Sequence, residues 1–319
     1  MHIVIVDSDP ADQGNEQVWS PLKDLGDLAI YPRTAASEVI DRCRAAQAIL
    51  TNKVVLNADT LAQLPELKYI GVTATGTNIV DIAAAKSRGI AVTNVPAYST
   101  ASVAQLVFAY ILHFANAVTQ HDEAVKAGSW SGCQDFSFLV APIHELAGKT
   151  LVTVGTGAIG GAVASISAAF GMKHIAAAAP GSTTPGRMPL EEALPVADYV
   201  SLHCPLTPQT QHLVNEAFLK QMKPSAYLIN TGRGPLVDEA VLASAIAEGQ
   251  IAGAAVDVLS TEPPAADNPL LATGTPWSKR LVVTPHIGWA TVEARERLVT
   301  ETIENVKAFA RGENRNRVG

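Results

Sequence analysis

Cysteine is scarce in this chain: Cys43, Cys133 and Cys204 are the only three in 319 residues. Their odd number and wide spacing, with no CxxC pair, exclude a disulfide framework and a zinc ribbon. No metal is expected, and the thiols are expected to be reduced in a cytoplasmic compartment. Positive charge is also short, with 23 Lys and Arg against 30 Asp and Glu and a net charge of −7. That balance leaves no broad basic surface for nucleic acid or an anionic membrane. Long hydrophobic runs are missing too. The opening "HIVIV" closes at Asp7, too short for a signal peptide, and "ASVAQLVFAYILHFANAV" carries Gln105, His113 and Asn116, which mark it as a buried helix. There is no short-period repeat and no low-complexity linker.

What the chain does have is a large apolar fraction, 48% hydrophobic against 17% charged residues, enough to bury a sizeable core. Short Val- and Ile-rich runs alternate with helix-length Ala/Leu segments. Strands are expected at 2–6, 48–50, 68–72, 90–94, 150–154, 174–178, 199–203, 226–230, 253–258 and 281–285. Segments 79–88, 158–170 and 238–248 suit helices. Strands that are apolar throughout, rather than alternating, belong to parallel sheets covered on both faces. The pattern runs once before residue 99 and again after 149, so the fold expected is α/β: two doubly wound, Rossmann-like parallel-sheet domains with a cleft between them. The expected division is 1–98 with 288–319 as a substrate domain, and 99–287 as a dinucleotide-binding domain. The second includes one long connector helix, roughly 99–127, and a dimerisation segment.

"LVTVGTGAIGG" places Gly155, Gly157 and Gly160 at GxGxxG spacing between an apolar strand and an Ala-rich helix. In that context the first glycine permits the tight turn, the second lets backbone N–H groups approach a pyrophosphate, and the third lets helix and strand pack closely. Ala158 and Ile159 open the helix over that site. The next strand ends in "HIAAAAPG", with Ala178 where such folds carry an acid for the adenosine ribose. Downstream, Ser182, Thr183, Thr184 and Arg187 offer hydroxyls and a guanidinium that can cradle a phosphate. Two readings stand: a pocket that somewhat prefers NADP(H) over NAD(H), or NAD(H) held through Ser182 and main chain. Removing a repulsive acid does not by itself create affinity for a phosphate.

Three later strand ends carry Arg233 ("NTGRG"), Asp257 and Glu262 ("DVLSTEPP") and His286 ("TPHIG"). Arg233, Glu262 and His286 are each about one βα unit apart, and C-terminal strand ends of a parallel sheet face the ligand crevice. An Arg fork, a carboxylate and an imidazole are polar residues of the kind that acyl-carbonyl reduction needs. In the first half of the chain, Asn52 and Lys53 in "LTNK" read as facing a cleft.

These motifs, together with "GVTATGTNIVD", "GIAVTNVPAYSTASVAQ", "ELAGKTLVTVGTGAIG" and "SLHCPLTPQTQHLVN", span nearly the whole chain. In that order it resembles the D-isomer-specific 2-hydroxyacid dehydrogenase family, most of all the glycerate dehydrogenase/hydroxypyruvate reductase branch. The resemblance implies that Arg233 binds the substrate carboxylate and keto group, that His286 exchanges a proton with the carbonyl oxygen, and that Glu262 stabilises its imidazolium. It further implies that backbone N–H groups of Ala74, Thr75 and Gly76 bind the substrate carboxylate. Val103, Thr231, Gly232, Arg233, Asp257, His286 and Gly288 would line the nicotinamide, and Cys204 and Pro205 the adenine. A homodimer through the connector region, near 99–140, is implied as well. The chain departs from the family at Ala178, at Ala158 where Arg or Lys is frequent, at Thr77 where an aromatic is common, and at Gln105. The function expected is reversible NAD(P)H-dependent reduction of a small 2-keto acid, hydroxypyruvate or glyoxylate, to the D-2-hydroxy acid. A corepressor-like nucleotide-sensing module and a phosphite-type dehydrogenase are the alternatives.

Overall fold

The computed structural model describes residues 1–319 and divides into two compact units, Met1–Ser99 with Ala290–Gly319, and Thr100–Trp289. Each is built on a wholly parallel sheet. In the first, β1 (His2–Ile5), β2 (Asp27–Ile30), β3 (Ala48–Thr51), β4 (Tyr69–Val72) and β5 (Ala91–Thr93) lie in the order β2-β1-β3-β4-β5. β3, β4 and β5 are buried at every position, which is why they read as unbroken apolar runs. β2 escapes the sequence pattern because it is a short edge strand, begins with Asp27 and is nowhere fully buried.

Helix Val292–Ala310 completes the first unit. Leu298, Ile303 and Val306 are buried along it, and Phe309 packs its ring 4.7 Å from that of Tyr69. Its start is capped by Thr291, whose side chain accepts from the N–H of Ala294. Asn305 reaches the carbonyl of Asn94 at 2.9 Å, and Val318 N–H donates to Val92 O at 2.8 Å, tying the last residues to β5.

In the second unit β6 (Thr150–Val154), β7 (Lys173–Ala177), β8 (Tyr199–Leu202), β9 (Tyr227–Asn230), β10 (Gly253–Val256) and β11 (Leu281–Val283) lie in the order β11-β10-β9-β8-β6-β7. The order reverses around β6, with β7 on one side and β8 on the other, so the loops leaving β6 and β8 flank a topological switch point. Their packing is tight, as the glycines below demonstrate.

The expected single connector helix is two. Thr100–Asn116 buries eight residues, whereas Val118–Lys126 buries none, and the pair bends by 56° at Ala117, which takes φ 47°. The second segment is polar and has no core to join, so nothing draws it along the first helix's axis. No single helix is long and apolar enough to cross a membrane.

Candidate active site

The glycine loop is shaped by contacts that admit no side chain. A Cβ on Gly155 (φ 100°) would lie 2.7 Å from the carbonyl carbon and oxygen of His203, and one on Gly160 would lie 2.3 Å from the carbonyl oxygen of Gly155. A Cβ on Gly157, by contrast, would meet nothing within 4 Å. Gly157 also stands at the N-cap of helix Ala158–Ala169 and brings no side chain to cap it. The first N–H groups of a twelve-residue helix therefore face open space, the arrangement that receives a pyrophosphate. Ile159 turns its side chain to the core and Ala158 is exposed, so both offer backbone rather than side chain.

Beneath this loop His203 is half-buried, with Nε2 2.9 Å from Ser201 Oγ, and removal of its ring from water pushes the imidazole down to about 4. It is a neutral packing element. Cys204 is also buried, in the core of the second unit, and burial pushes its thiol up, away from thiolate chemistry. The carbonyl of Pro205 accepts from Thr210 Oγ1 at 2.7 Å.

Ala178 directly follows β7. Its N–H donates to Met188 O at 2.9 Å, and Met188 N–H returns a bond to Ala176 O at 2.9 Å, so the intervening loop leaves and rejoins the strand end. Out of that loop Arg187 reaches back to the glycine loop, donating to Ser182 Oγ at 2.9 Å and to Thr156 Oγ1 at 2.5 Å. Thr183 and Thr184 are exposed.

The strand ends β9, β10 and β11 are neighbours and carry the polar trio. After β9, Asn230 staples the turn, accepting from Gly232 N–H at 3.0 Å and donating to Arg233 O at 2.9 Å. Gly234 fits only because it lacks a Cβ, which would fall 2.0 Å from the carbonyl carbon of Leu259. That contact sets the Arg233 turn against the loop that holds Glu262. The guanidinium of Arg233 is exposed, with one donor on its own turn at Gly232 O, 2.7 Å. Thr231 Oγ1 is buried and has no partner within the protein.

Glu262 ties its own loop to the loop that carries His286. Oε1 accepts from Leu259 N–H at 3.1 Å and Oε2 lies 2.7 Å from His286 Nδ1. With the carboxylate ionised, Nδ1 carries the shared proton and Nε2 is the nitrogen left for a ligand. His286 sits at φ 54°, a conformation that side-chain-bearing residues rarely hold unaided. Asp257 imposes it. Its Oδ1 accepts from Thr284 Oγ1 at 2.5 Å and Ile287 N–H at 2.8 Å, and its Oδ2 accepts from Gly288 N–H at 2.7 Å. Burial raises the Asp257 carboxyl above its ordinary value, with these three donors pulling the other way. Helix Thr100–Asn116 braces the same turn: Tyr110 bonds Thr284, Ser102 donates to Gly288 O at 2.5 Å, and Val103 packs beside Gly288.

In the first unit, the N–H groups of Ala74, Thr75 and Gly76 find no acceptor in the protein, whereas the side chain of Thr75 donates to Val95 O at 2.9 Å and fixes the loop. Successive free amides of this kind form an anion-binding concavity. Asn52 is buried rather than presented: its side chain donates to Thr73 O at 2.6 Å and its N–H to Asp7 Oδ1 at 2.7 Å. It ties one strand-end loop to the other. Lys53 is exposed, its N–H held by Asp7 Oδ2 at 2.6 Å.

Sequence reasoning missed Thr156, Tyr110, Ser102, Thr284 and Asn230. Of these, only Asn230 carries a signal, as the polar residue that ends an apolar strand.

Comparison with known proteins identifies the family. Residues 108–288 match the family model for the NAD binding domain of D-isomer specific 2-hydroxyacid dehydrogenases. The chain is 37% identical to a hydroxypyruvate reductase of Blautia hydrogenotrophica over 98% of both chains. It is 41% identical to a glycerate dehydrogenase of Methylorubrum extorquens over 88% of this chain and 87% of that one. The crystal structure of an NADPH-dependent glyoxylate/hydroxypyruvate reductase from Sinorhizobium meliloti, solved with NADP and malonate, superposes with a TM-score of 0.83 at 28% identity, covering 100% of this chain and 96% of the other. The chain belongs to the D-isomer-specific 2-hydroxyacid dehydrogenase family.

Proposed function

We propose that this chain reduces a small 2-keto acid of the hydroxypyruvate and glyoxylate class to the D-2-hydroxy acid, with NADPH preferred over NADH. The observation that carries the reading is the His286–Glu262 pair at 2.7 Å, on a strand-end loop next to the Arg233 turn and in the same unit as an uncapped glycine loop. When bound, a nicotinamide would supply the hydride for the carbonyl carbon. His286 Nε2 gives its proton to the carbonyl oxygen as that carbon is reduced, and Glu262 balances the imidazolium before the transfer. In the oxidative direction the neutral imidazole takes the proton back. Arg233 holds the substrate's carboxylate and keto oxygen through its fork of donors. The free amides of Ala74, Thr75 and Gly76, with Lys53, are assigned to the carboxylate, and Asn52 to fixing that loop.

The orphaned Thr231 hydroxyl, the open space over Gly157 and the uncapped helix fit a dinucleotide. Its nicotinamide is assigned to the region of Val103, Thr231, Gly232, His286 and Gly288. Asp257, saturated by its own turn, acts by placing His286. Preference for the 2′-phosphate is supported by Ala178 in the acid's position and by Arg187 beside the glycine loop. Homodimerisation completes the reading, supported by exposed Val118, Trp130, Phe136 and Leu139 in the segment after the first connector helix.

Steady-state reduction of hydroxypyruvate and glyoxylate with NADPH and NADH in parallel tests it. A kcat/KM at least tenfold higher with NADPH, about 1.4 kcal/mol, is expected. Equal or better use of NADH overturns the cofactor assignment, and absence of turnover with either keto acid overturns the substrate class.

A further inference from the structure

Arg187 is held in a way that folding alone does not explain. Its half-buried guanidinium rests on two neutral hydroxyls, Ser182 Oγ and Thr156 Oγ1, its Nε is buried without an acceptor, and no carboxylate forms an ion pair with it. A cation drawn out of water onto neutral acceptors, with one donor unmet, is destabilising until an anion joins it.

The two hydroxyls differ in what stands behind them. Ser182 belongs to the same excursion between Ala178 and Met188 as Arg187 itself. Thr156 lies between Gly155 and Gly157, in a tightly packed loop, because Gly155 is wedged against His203 and Gly160 against Gly155. A pyrophosphate at that loop is met by backbone N–H groups and does not call for the Thr156 side chain. The hydroxyl is instead spent on Nη2 of Arg187, anchoring a cation from an exposed loop to a rigid point.

We infer that Thr156 is a specificity-determining positioning residue, which docks Arg187 beside the position vacated by the ribose acid so that the guanidinium's remaining donors meet a phosphate on the adenosine 2′-oxygen. The inference rests on the NADPH reading above. Without the Thr156 hydroxyl, Arg187 keeps only Ser182, on its own exposed loop, and moves with that loop, so a phosphate contact must be ordered on binding. Serine keeps the hydroxyl; valine keeps the volume and loses it.

The test uses the full-length protein and two probes that lack nicotinamide, adenosine 2′,5′-bisphosphate and adenosine 5′-monophosphate, with dissociation constants from calorimetry at fixed ionic strength. One charge-assisted hydrogen bond corresponds to about tenfold in affinity. The wild type is expected to favour the bisphosphate by about tenfold or more. T156V should lose most of that ratio, approaching R187Q, while T156S retains it within about twofold. Thr156 is only partly buried and T156V is nearly isosteric, and T156A, which also removes the hydroxyl, gives the same comparison if the valine variant proves unstable. A wild-type preference that T156V keeps overturns the role of Thr156 and leaves the NADPH reading standing. A wild type that does not distinguish the two probes overturns the NADPH reading and this inference with it.

Discussion

Replacing Asp257 by Asn removes a charge at nearly constant volume, so it isolates what the carboxylate does for His286. The native side chain has acceptors only, and both oxygens are in use: Thr284 and Ile287 on Oδ1, Gly288 on Oδ2. An amide can keep its oxygen toward one side alone, and its NH2 then faces an N–H or hydroxyl donor on the other. Oriented for the least damage, D257N retains Thr284 and Ile287 and sets two donors against each other at the buried Gly288 N–H. A hydrogen bond to a charged acceptor is worth about 1.5–3 kcal/mol, so a destabilisation of about 3 kcal/mol is expected. For a unit of this size that lowers the melting temperature by roughly 6–12 °C. The catalytic consequence is separable. His286 is held at φ 54° by this turn, and a displacement of about 1 Å in a reacting group can cost on the order of 10² in rate. Thermal unfolding by intrinsic fluorescence, and kcat for hydroxypyruvate at saturating cofactor and at a temperature where the variant is folded, read the two effects. The reasoning is refuted if D257N melts as the wild type does, or if it melts low and yet keeps kcat within about twofold, since the turn then would not need the carboxylate to place His286.

Two further outcomes follow from packing and burial. G160A should destabilise the second unit by about 1–3 kcal/mol, the usual cost of overpacking, because its Cβ would stand 2.3 Å from a backbone oxygen that cannot move aside; unchanged melting and unchanged NADPH affinity would show that helix and strand have slack there. His203 is neutral in the folded state, with its imidazole pushed down to about 4 from an ordinary 6.5. The unfolded chain therefore binds the extra proton between those values, and His203 withdraws stability as pH falls from about 6.5 toward about 4. Between pH 7 and pH 5 the loss attributable to it is about 2 kcal/mol, read as the difference in urea-derived stability between the wild type and H203Q. Equal pH slopes for the two proteins would contradict it.

What could be read before the structure was what a single strand or a single strand end determines. β3, β4 and β8 are buried on both faces, so their runs of Val, Ile and Leu announce them. Arg233, Glu262 and His286 stand out because each follows such a run. The edge strand β2 has no such signature, since half-burial lets polar residues in. Nor does Ala117, which breaks the connector: alanine favours helix, and the break comes from the loss of a buried face beyond it. The tie from Thr156 to Arg187 and the clamp of Asp257 on the His286 turn join residues about thirty positions apart, and only the strand order brings them together. Asn52 shows the converse, a residue whose type suggests a ligand contact and whose burial assigns it to holding a loop.

The measurement that bears most directly on the account is the single-turnover rate of NADPH oxidation by hydroxypyruvate, followed by stopped flow in the wild type, H286Q and E262Q with cofactor binding verified for each. If His286 gives the proton and Glu262 supports its charge, H286Q should be slower by about 10²–10⁴, with E262Q between it and the wild type. An H286Q rate within about tenfold of the wild type would contradict the account, because a proton donor worth so little is not the group this site is built around.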